Sequence, residues 1–356
     1  MPTTRSGPDV AVVGFAQSPN VRRTNGTTNG VEMLVPTLRE ALDQTGLSKD
    51  DVGFWCSGSS DYLAGRAFSF IAAVDSVGPF PPINESHVEM DAAWALYEAW
   101  VKILTGEVDT AVVYGFGKSS AGDLQRVLAL QHDPYLVAPL WPDAVGLAGI
   151  QARLGIESGR WSERAMAEVA ARSRADAREN PDAQISGDFD VDALLDEPHL
   201  ADPLRAHDCA PVTDGAAVVV LASADRAREL RENPAYISGL THRIDSPNFS
   251  RDLTTSPSTT AAAGAAGSDG AELVELTAPF THQELLLREA LGLGEQVRVN
   301  PSGGVLCGNP LFACGLARIG EAAGHVLRGE AGRVLAHATN GPLLQQNLVC
   351  VMEGRS

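Results

Sequence analysis

The 356-residue chain has few cysteines, no long apolar run and no excess of positive charge. Its five cysteines are scattered and form no CxxC pair, which argues against a disulfide framework or a structural zinc site. The histidines show no HxH or HxxxH spacing, so we assign no metal. No apolar run approaches the roughly 20 residues that a membrane span needs. The 45 acidic residues outnumber the 27 basic ones, and the net charge of −18 disfavours binding to nucleic acids or anionic lipids.

The remaining composition, 44% hydrophobic and 20% charged, is typical of a soluble globular protein. The N-terminal sequence has no apolar segment followed by a small-residue cleavage site, and reduced thiols fit a reducing compartment. We therefore expect a cytoplasmic protein. The length favours two domains or one duplicated core.

An internal repeat supports a duplicated core. Residues 91–115 and 310–338 each show an Ala- and Leu-rich helical pattern that ends at a glycine (LTGE, LRGE) and precedes a short apolar strand (TAVVYG, RVLAHA). Two further pairs recur in the same order: DVAVVG with AYISG, and LREALDQTGLSKDDVGFWCSG with AAAGAAGSDGAELVEL. We predict two similar βα halves packed face to face. The alternative is a chance likeness among Ala-rich helices and Val-rich strands.

The segment between the halves has a different composition. It predicts helices and loops, including a helix over residues 162–179 with Ser162 as its N-cap. For SPSTTAAAGAAGSDG a mobile loop is the alternative to an Ala-rich helix. We predict an N-terminal half (1–120 and 204–232), an inserted helical region that caps a site (121–203) and a C-terminal half (233–356).

The repeat also predicts where chemistry would take place. Helix N-termini carry unpaired N–H donors and a partial positive charge, and a face-to-face duplication brings two of them to one pocket. The candidates before the first repeat helix are His87, Glu89 and Asp91. Those before the second are Cys307, Asn309 and Phe312. For Asp91, simple helix capping is the alternative. Glycine-rich turns would let backbone approach a ligand at Gly303, Gly304 and Gly341.

Taken together, the motifs resemble the thiolase superfamily, specifically its sterol-carrier-protein/lipid-transfer branch. The resemblance is carried by ALYEAWVKILTGEVDTAVVYG, PVTDGAAVVVLAS, ELTAPFTHQELLLREALGL, NPSGG with GNPLFACG, and HATNGPLLQQN, in the family's order. It implies an α/β fold: a five-layer αβαβα sandwich of two duplicated βαβαβαββ halves with an inserted helical loop domain. It also implies a dimer formed through an edge strand.

The catalytic positions of the family are not retained. The nucleophilic cysteine falls on Glu89, and no cysteine occurs between Cys56 and Cys209. The family's Asn or His before an aromatic residue becomes Thr277 in ELTAPF, and the second cysteine becomes Thr339 in TNG. In GNPLFACG the family's histidine becomes Asn309 and its small glycine becomes Phe312. Thiolysis needs a thiolate nucleophile, so thiolase activity is not expected.

The resemblance instead suggests an aldolase-type lyase, similar to the aldolases that trim steroid side chains in actinobacteria. Retro-aldol cleavage of a β-hydroxyacyl-CoA needs a base and donors for an enolate oxygen, and no covalent nucleophile. Glu89 or Asp91, with its pKa raised by burial, is the expected base. Asn309 and backbone N–H groups are the expected donors. The implied partners are a second thiolase-like subunit, in a homodimer or heterodimer, and an OB-fold/zinc-ribbon protein.

Three alternatives remain open. The chain is a silent subunit of a hetero-oligomer, a residual acyltransferase that uses Cys307, or a lipid carrier without chemistry. No cofactor is expected beyond the coenzyme A of the substrate. For coenzyme A contacts the candidate cations are Lys118, Arg172 and Arg174.

Overall fold

The computed structural model describes residues 9–25, 30–61, 68–246 and 248–355. Within these ranges the strands are β1 (Val10–Gln17), β2 (Phe54–Gly58), β3 (Glu85–Val88), β4 (Thr110–Lys118), β5 (His199–Ala201), β6 (Leu204–Arg205), β7 (Asp214–Ser223), β8 (Ala235–Ile244), β9 (Leu273–Leu276), β10 (Arg298–Val299), β11 (Arg333–Asn340) and β12 (Gln346–Glu353). The α-helices are α1 (Val31–Asp43), α2 (Ser69–Val77), α3 (Ala92–Leu104), α4 (Leu124–Leu130), α5 (Ala144–Glu157), α6 (Glu163–Asp176), α7 (Val191–Leu195), α8 (Ala224–Leu230), α9 (Pro257–Ala266), α10 (Thr281–Ala290) and α11 (Cys314–Leu327).

The main strands form two five-stranded arrays with the same internal order. In the first array the order is β3-β2-β4-β7-β1, and in the second it is β10-β9-β11-β12-β8. The pairing is also the same: β2, β3 and β4 are mutually parallel, as are β9, β10 and β11, while the other pairs are antiparallel. The arrays meet where β1 pairs with β8 over two residue pairs. The predicted duplication is therefore confirmed.

Helices α3 and α11 form the central layer between the two arrays. One continuous core contains the Ala-rich faces of both helices and apolar residues from both arrays, such as Val113, Val219 and Val334. A second core lies between the first array and α1, and a third lies between the second array and α9 and α10. Burial on both faces explains the nearly continuous apolar sequences of β4 and β7. The result is the expected five-layer αβαβα sandwich.

The inserted segment between β4 and β7 carries four helices and a short hairpin of β5 and β6. As predicted, Ser162 caps α6: its Oγ accepts a hydrogen bond from the Ala165 N–H at 3.2 Å. The segment predicted as either a mobile loop or an Ala-rich helix forms α9. The exact boundaries of the three predicted units stay a prediction.

Two histidines buried in the second half have no exposed surface. His337 on β11 has Nε2 2.9 Å from Asn347 Oδ1, and His282 on α10 has Nε2 3.0 Å from Gln151 Oε1. Burial lowers the pKa of His337 to about 4 and that of His282 to about 3. In the folded chain these two histidines therefore stay neutral at pH values at which they bind a proton in the unfolded chain, where their pKa is near 6.5.

We predict that acid destabilises the fold through these side chains. A histidine with a depressed folded pKa contributes stability above pH 6.5, and that stability is lost as the pH falls toward the folded value. His337 alone should cost about 2 kcal/mol of unfolding free energy between pH 7.5 and pH 5. Urea unfolding should be measured at both pH values. The unfolding free energy that His337→Gln loses between them should be smaller, by this amount, than the loss in the unaltered chain. The exposed His199→Gln is the control, and an equal change in both variants would contradict the prediction.

Candidate functional site

The carboxylate of Asp91 lies between the N-termini of α3 and α11. Its Oδ1 accepts hydrogen bonds from the Ala93 N–H of α3 at 2.9 Å and from the Leu316 N–H of α11 at 3.1 Å. Its Oδ2 accepts from the Gly315 N–H at 3.0 Å and lies 3.6 Å from Cys314 Sγ. Asp91 is 3% exposed. Burial raises the pKa of Asp91, and the backbone N–H donors oppose that rise. The capping alternative is thus what the geometry shows, and one residue caps both helices.

The loop before α11 contacts the first turn of α3 through Phe312. The Phe312 carbonyl accepts a hydrogen bond from the Ala92 N–H at 2.9 Å, and Phe312 has a φ of 69°. Such a φ is strained for a bulky side chain, and the family resemblance places a glycine here. At Gly315 a side chain is impossible, because a Cβ would lie 2.5 Å from Asp91 Oδ1. The close approach of the two helices depends on both positions.

Glu89 directly follows β3, and its side chain is 51% exposed. Its Oε1 accepts a hydrogen bond from the Asp61 N–H at 2.9 Å, and its Oε2 lies 3.5 Å from His87 Nε2. The His87 side chain is 15% exposed, and its Nδ1 lies 2.9 Å from Ser57 Oγ. The structure brings the predicted His87 and Glu89 together. It does not provide the burial that we expected for Glu89.

The predicted residues of the second half have mixed surroundings. Asn309 is 7% exposed, its backbone N–H donates to Thr213 Oγ1 at 2.8 Å, and its side-chain Oδ1 has no partner among the described residues. The Thr277 Oγ1 is likewise buried without a described partner. Thr339 Oγ1 donates to the Gln346 carbonyl at 2.9 Å. No hydrogen bond in the described ranges joins these three side chains to Glu89 or His87.

The glycines predicted to shape the site adopt the backbone conformations that favour glycine. Gly303, Gly304 and Gly341 have φ values of 90°, 63° and 74°. Their proposed contact with substrate stays a prediction.

Two general features concern ligands and membranes. Within the described ranges, no group of three or more His, Cys, Asp or Glu residues has the geometry to hold a metal ion. No described helix is both long and apolar enough to cross a bilayer.

Comparison with curated proteins finds relatives along most of the chain, although no family model matches it. The chain is 28% identical to the acetyl-CoA acetyltransferase of Methanothermobacter thermautotrophicus, over 91% of this chain and 92% of that protein. It is 25% identical to sterol carrier protein 2 of Bos taurus, over 71% of this chain and 54% of that protein. It is 26% identical to the 17-hydroxy-3-oxo-4-pregnene-20-carboxyl-CoA lyase of Mycobacterium tuberculosis, over 64% of this chain and 61% of that protein.

Solved structures agree with this result at the level of the fold. The acetyl-CoA acetyltransferase of Bacillus anthracis superimposes with a TM-score of 0.80 at 18% identity, over 99% of this chain and 100% of that one. The Ltp2–ChsH2(DUF35) aldolase superimposes with a TM-score of 0.78 at 18% identity, over 97% of this chain and 98% of that one. The chain has a thiolase-like fold and is similar in sequence to an acetyl-CoA acetyltransferase and to sterol carrier protein 2. Acyl-CoA processing is the function class that this placement supports.

The thiolase-like chain has no cysteine suited to thiolase chemistry. Burial raises the pKa of all five thiols, to about 12 for Cys209, Cys307 and Cys350 and further for Cys56 and Cys314. The candidate Cys307 is 1% exposed, and its Sγ lies 3.4 Å from the Ser173 carbonyl of α6. Thiolates, not thiols, are the nucleophiles, so this environment argues against Cys307 as a replacement.

Cys314, the first residue of α11, was missed as a site residue. Only its position in GNPLFACG, five residues after Asn309, could have indicated that it lies beside Asp91. A helix N-terminus ordinarily lowers a thiol pKa, but here burial and the Asp91 carboxylate raise it.

The cations predicted for coenzyme A are engaged elsewhere. Lys118 is 4% exposed and pairs with Glu32 of α1. Arg172 pairs with the buried Glu284 at 2.7 Å, and the Arg174 guanidinium lies over the Phe189 ring at 4.4 Å. These placements argue against a primary role for the three side chains in binding phosphate.

We predict that Asp91→Ala destabilises the thiolase-like fold far more than loss of an ordinary cap. The substitution leaves the N–H groups of Ala93, Gly315 and Leu316 buried without an acceptor, at an expected cost of about 3–5 kcal/mol. Chemical denaturation should be compared with Ser162→Ala, for which the loss of a cap should cost about 1 kcal/mol. Equal losses in the two variants would show that Asp91 does not join the helices.

Proposed function

We propose that the chain is a carbon–carbon lyase that cleaves a β-hydroxyacyl-CoA by a retro-aldol reaction, with a steroid side chain as the acyl group. The observation that carries the proposal is the accessible carboxylate of Glu89 beside His87, at the position where the thiolase family has its nucleophilic cysteine. Four of the five cysteines are buried and Cys209 is half-buried, and the pKa of every thiol is raised, which supports a reaction without a thiolate. The similarity to the Mycobacterium tuberculosis lyase and the likeness to the Ltp2–ChsH2(DUF35) aldolase are compatible with this chemistry.

In the proposed reaction, Glu89 accepts the proton of the β-hydroxyl group. The bond between Cα and Cβ then breaks, the Cβ–O bond becomes a carbonyl, and the electron pair of the broken bond forms an enolate on the thioester oxygen. Protonation of the enolate carbon gives the shortened acyl-CoA. A positioned base of this kind contributes about 100- to 10,000-fold to a rate.

The enolate oxygen needs a donor other than the α11 helix end. The Gly315 and Leu316 N–H groups already donate to Asp91, so they are not free for a ligand. The side-chain Oδ1 of Asn309 is an acceptor without a described partner, so only the Nδ2 amino group of this residue can donate, and we assign Nδ2 to the enolate oxygen. We assign Asp91 a positioning role, because its four donors leave it no room to act as the base.

We predict that Glu89→Gln lowers kcat for acyl-CoA cleavage by at least about 100-fold, because the amide cannot accept the hydroxyl proton. Turnover should be measured on the purified chain with its partner proteins. Glu107→Gln, which removes an exposed carboxylate on another turn, is the matched control. Activity unchanged in Glu89→Gln would exclude the base assignment.

A silent subunit is the alternative function, and the weakly reactive Thr277 and Thr339 favour it. Absence of turnover under every partner condition would support this alternative. Residual acyl transfer would require an acyl-enzyme on Cys307, which intact mass spectrometry would detect. Lipid carriage would require a lipid that co-purifies. The cytoplasmic location and the absence of a cofactor other than substrate coenzyme A stay predictions.

We further propose that the chain associates through β3, as a homodimer or with a second thiolase-like subunit. The outer edge of β3 has no strand partner in the described ranges. Near this edge, Phe68, Ile71 and Phe80 are 64%, 55% and 90% exposed. An unpaired strand edge beside exposed apolar side chains favours association with another chain. Such a contact would also supply the burial that Glu89 lacks.

For the proposed OB-fold/zinc-ribbon partner, the support is a second set of exposed apolar side chains. The set lies in the inserted segment and consists of Leu130, Tyr135, Leu136, Leu140 and Trp141. Surfaces of this kind often bind other proteins. The solved Ltp2–ChsH2(DUF35) aldolase is named for two proteins, which is compatible with a partner subunit.

We predict that the double variant Ile71→Lys/Phe80→Lys weakens association through β3, because a dimer contact would have to bury the added charges. Sedimentation over a range of concentrations should show a shift toward monomer. Ile244→Lys on β8, whose native side chain is 65% exposed, is the control. An unchanged oligomeric state in the double variant would place the interface elsewhere.

A further inference from the structure

A cavity of about 690 Å³ lies beside the start of the inserted segment. Arg22 and Arg23 line one side of it, and Ser119, Ser120 and Gly122 line another, with Val212 beside them. The mechanism proposed above uses none of these residues.

The two sides of this cavity are joined by one buried carboxylate, that of Asp214. Its Oδ2 accepts hydrogen bonds from the Thr24 N–H at 2.8 Å, the Thr24 hydroxyl at 3.0 Å and the Ser120 hydroxyl at 2.6 Å. Its Oδ1 accepts from the Ser120 N–H at 3.1 Å. The backbone of Asp214 also exchanges two hydrogen bonds with Val21. The arginine-bearing segment is therefore held in place before any ligand binds.

Two arginines line the cavity in a chain whose net charge is −18. Neither Arg22 nor Arg23 forms an ion pair with a carboxylate of the described residues, and the Asp214 carboxylate is occupied by its four hydrogen-bond donors from Thr24 and Ser120. Arg23 Nη2 donates to the Ser120 carbonyl at 3.1 Å, which holds its guanidinium at the rim. Ser119 is 3% exposed, and its hydroxyl has no hydrogen-bond partner among the described residues. Two guanidinium groups without a carboxylate partner among the described residues, and a hydroxyl without a described hydrogen-bond partner, suit a phosphate group.

Strand β4 connects this cavity to the site. A Cβ on Gly115 would lie 2.8 Å from the Phe312 carbonyl, which itself contacts the start of α3. Ser119 follows four residues later, and an extended strand covers about 13 Å in that length. A pantetheine arm spans a separation of this order.

We infer that this cavity binds the phosphate groups of the coenzyme A nucleotide. The inference rests on the proposed acyl-CoA substrate and is independent of the cleavage step. It replaces Lys118, Arg172 and Arg174 as the main phosphate contacts.

Binding should be measured by calorimetry with coenzyme A, 3′,5′-ADP, pantetheine and inorganic phosphate as separate ligands. Arg22→Ala/Arg23→Ala should weaken coenzyme A and 3′,5′-ADP by at least about tenfold and leave pantetheine unchanged. Higher salt should reduce the affinity of the unaltered chain for both nucleotides and have less effect on the double variant. Arg39→Ala, a change of an exposed arginine on α1, is the control.

Three outcomes would overturn the inference. These are equal coenzyme A affinity in the double variant and the unaltered chain, equal losses in Arg39→Ala and the double variant, and inorganic phosphate binding as tightly as 3′,5′-ADP. Matching circular dichroism melts establish that the double variant folds. The unaltered chain could turn over no thioester while the double variant loses 3′,5′-ADP binding. That result would support the cavity assignment and contradict only the lyase proposal.

Discussion

The architecture depends on one buried carboxylate placed between two helix ends. The N-termini of α3 and α11 both carry partial positive charge, and they would repel each other if no anion lay between them. Asp91 supplies that anion and accepts backbone N–H groups from both helices. Helix α3 packs against the first array and α11 packs against both arrays, so the same interaction fixes how the two halves of the molecule face each other.

This arrangement limits the chemistry that the site can perform. In a duplicated fold of this type, two helix ends that meet at one pocket are a natural place to stabilise an oxyanion. Here the N–H groups of both helix ends already donate to Asp91. Side chains must therefore stabilise the oxyanion. Asn309 and Glu89 have the most freedom to act, because neither carboxylate nor amide is saturated by described partners. The buried thiols leave the proposed chemistry to oxygen and nitrogen groups.

The fold could be predicted from the sequence because the duplication produces local sequence patterns in each half. Helix-ending glycines, apolar strands and Ser162 as a cap each depend on a few neighbouring residues, and all appear in the structure. Capping of α3 by Asp91 was local too and was among the alternatives. That Asp91 also caps α11 could not be predicted, since its partner Gly315 lies 224 positions away.

The polar environment of single side chains was harder to predict for the same reason. Lys118 is the last residue of β4 and was expected to contact a ligand, but its partner Glu32 belongs to a helix 86 residues earlier. The burial expected for Glu89 is absent, since its side chain is 51% exposed. Arg22 and Arg23 carried no motif, and only the packing of Thr24 and Ser120 around Asp214 places them beside a cavity.

The uncovered position of Glu89 beside the free edge of β3 has a regulatory consequence. Any polypeptide that adds a strand to this edge would reduce the exposure of the carboxylate, whose side chain is 51% exposed. Chemistry and assembly would then respond to the same protein concentration. Activity per subunit would then change with dilution.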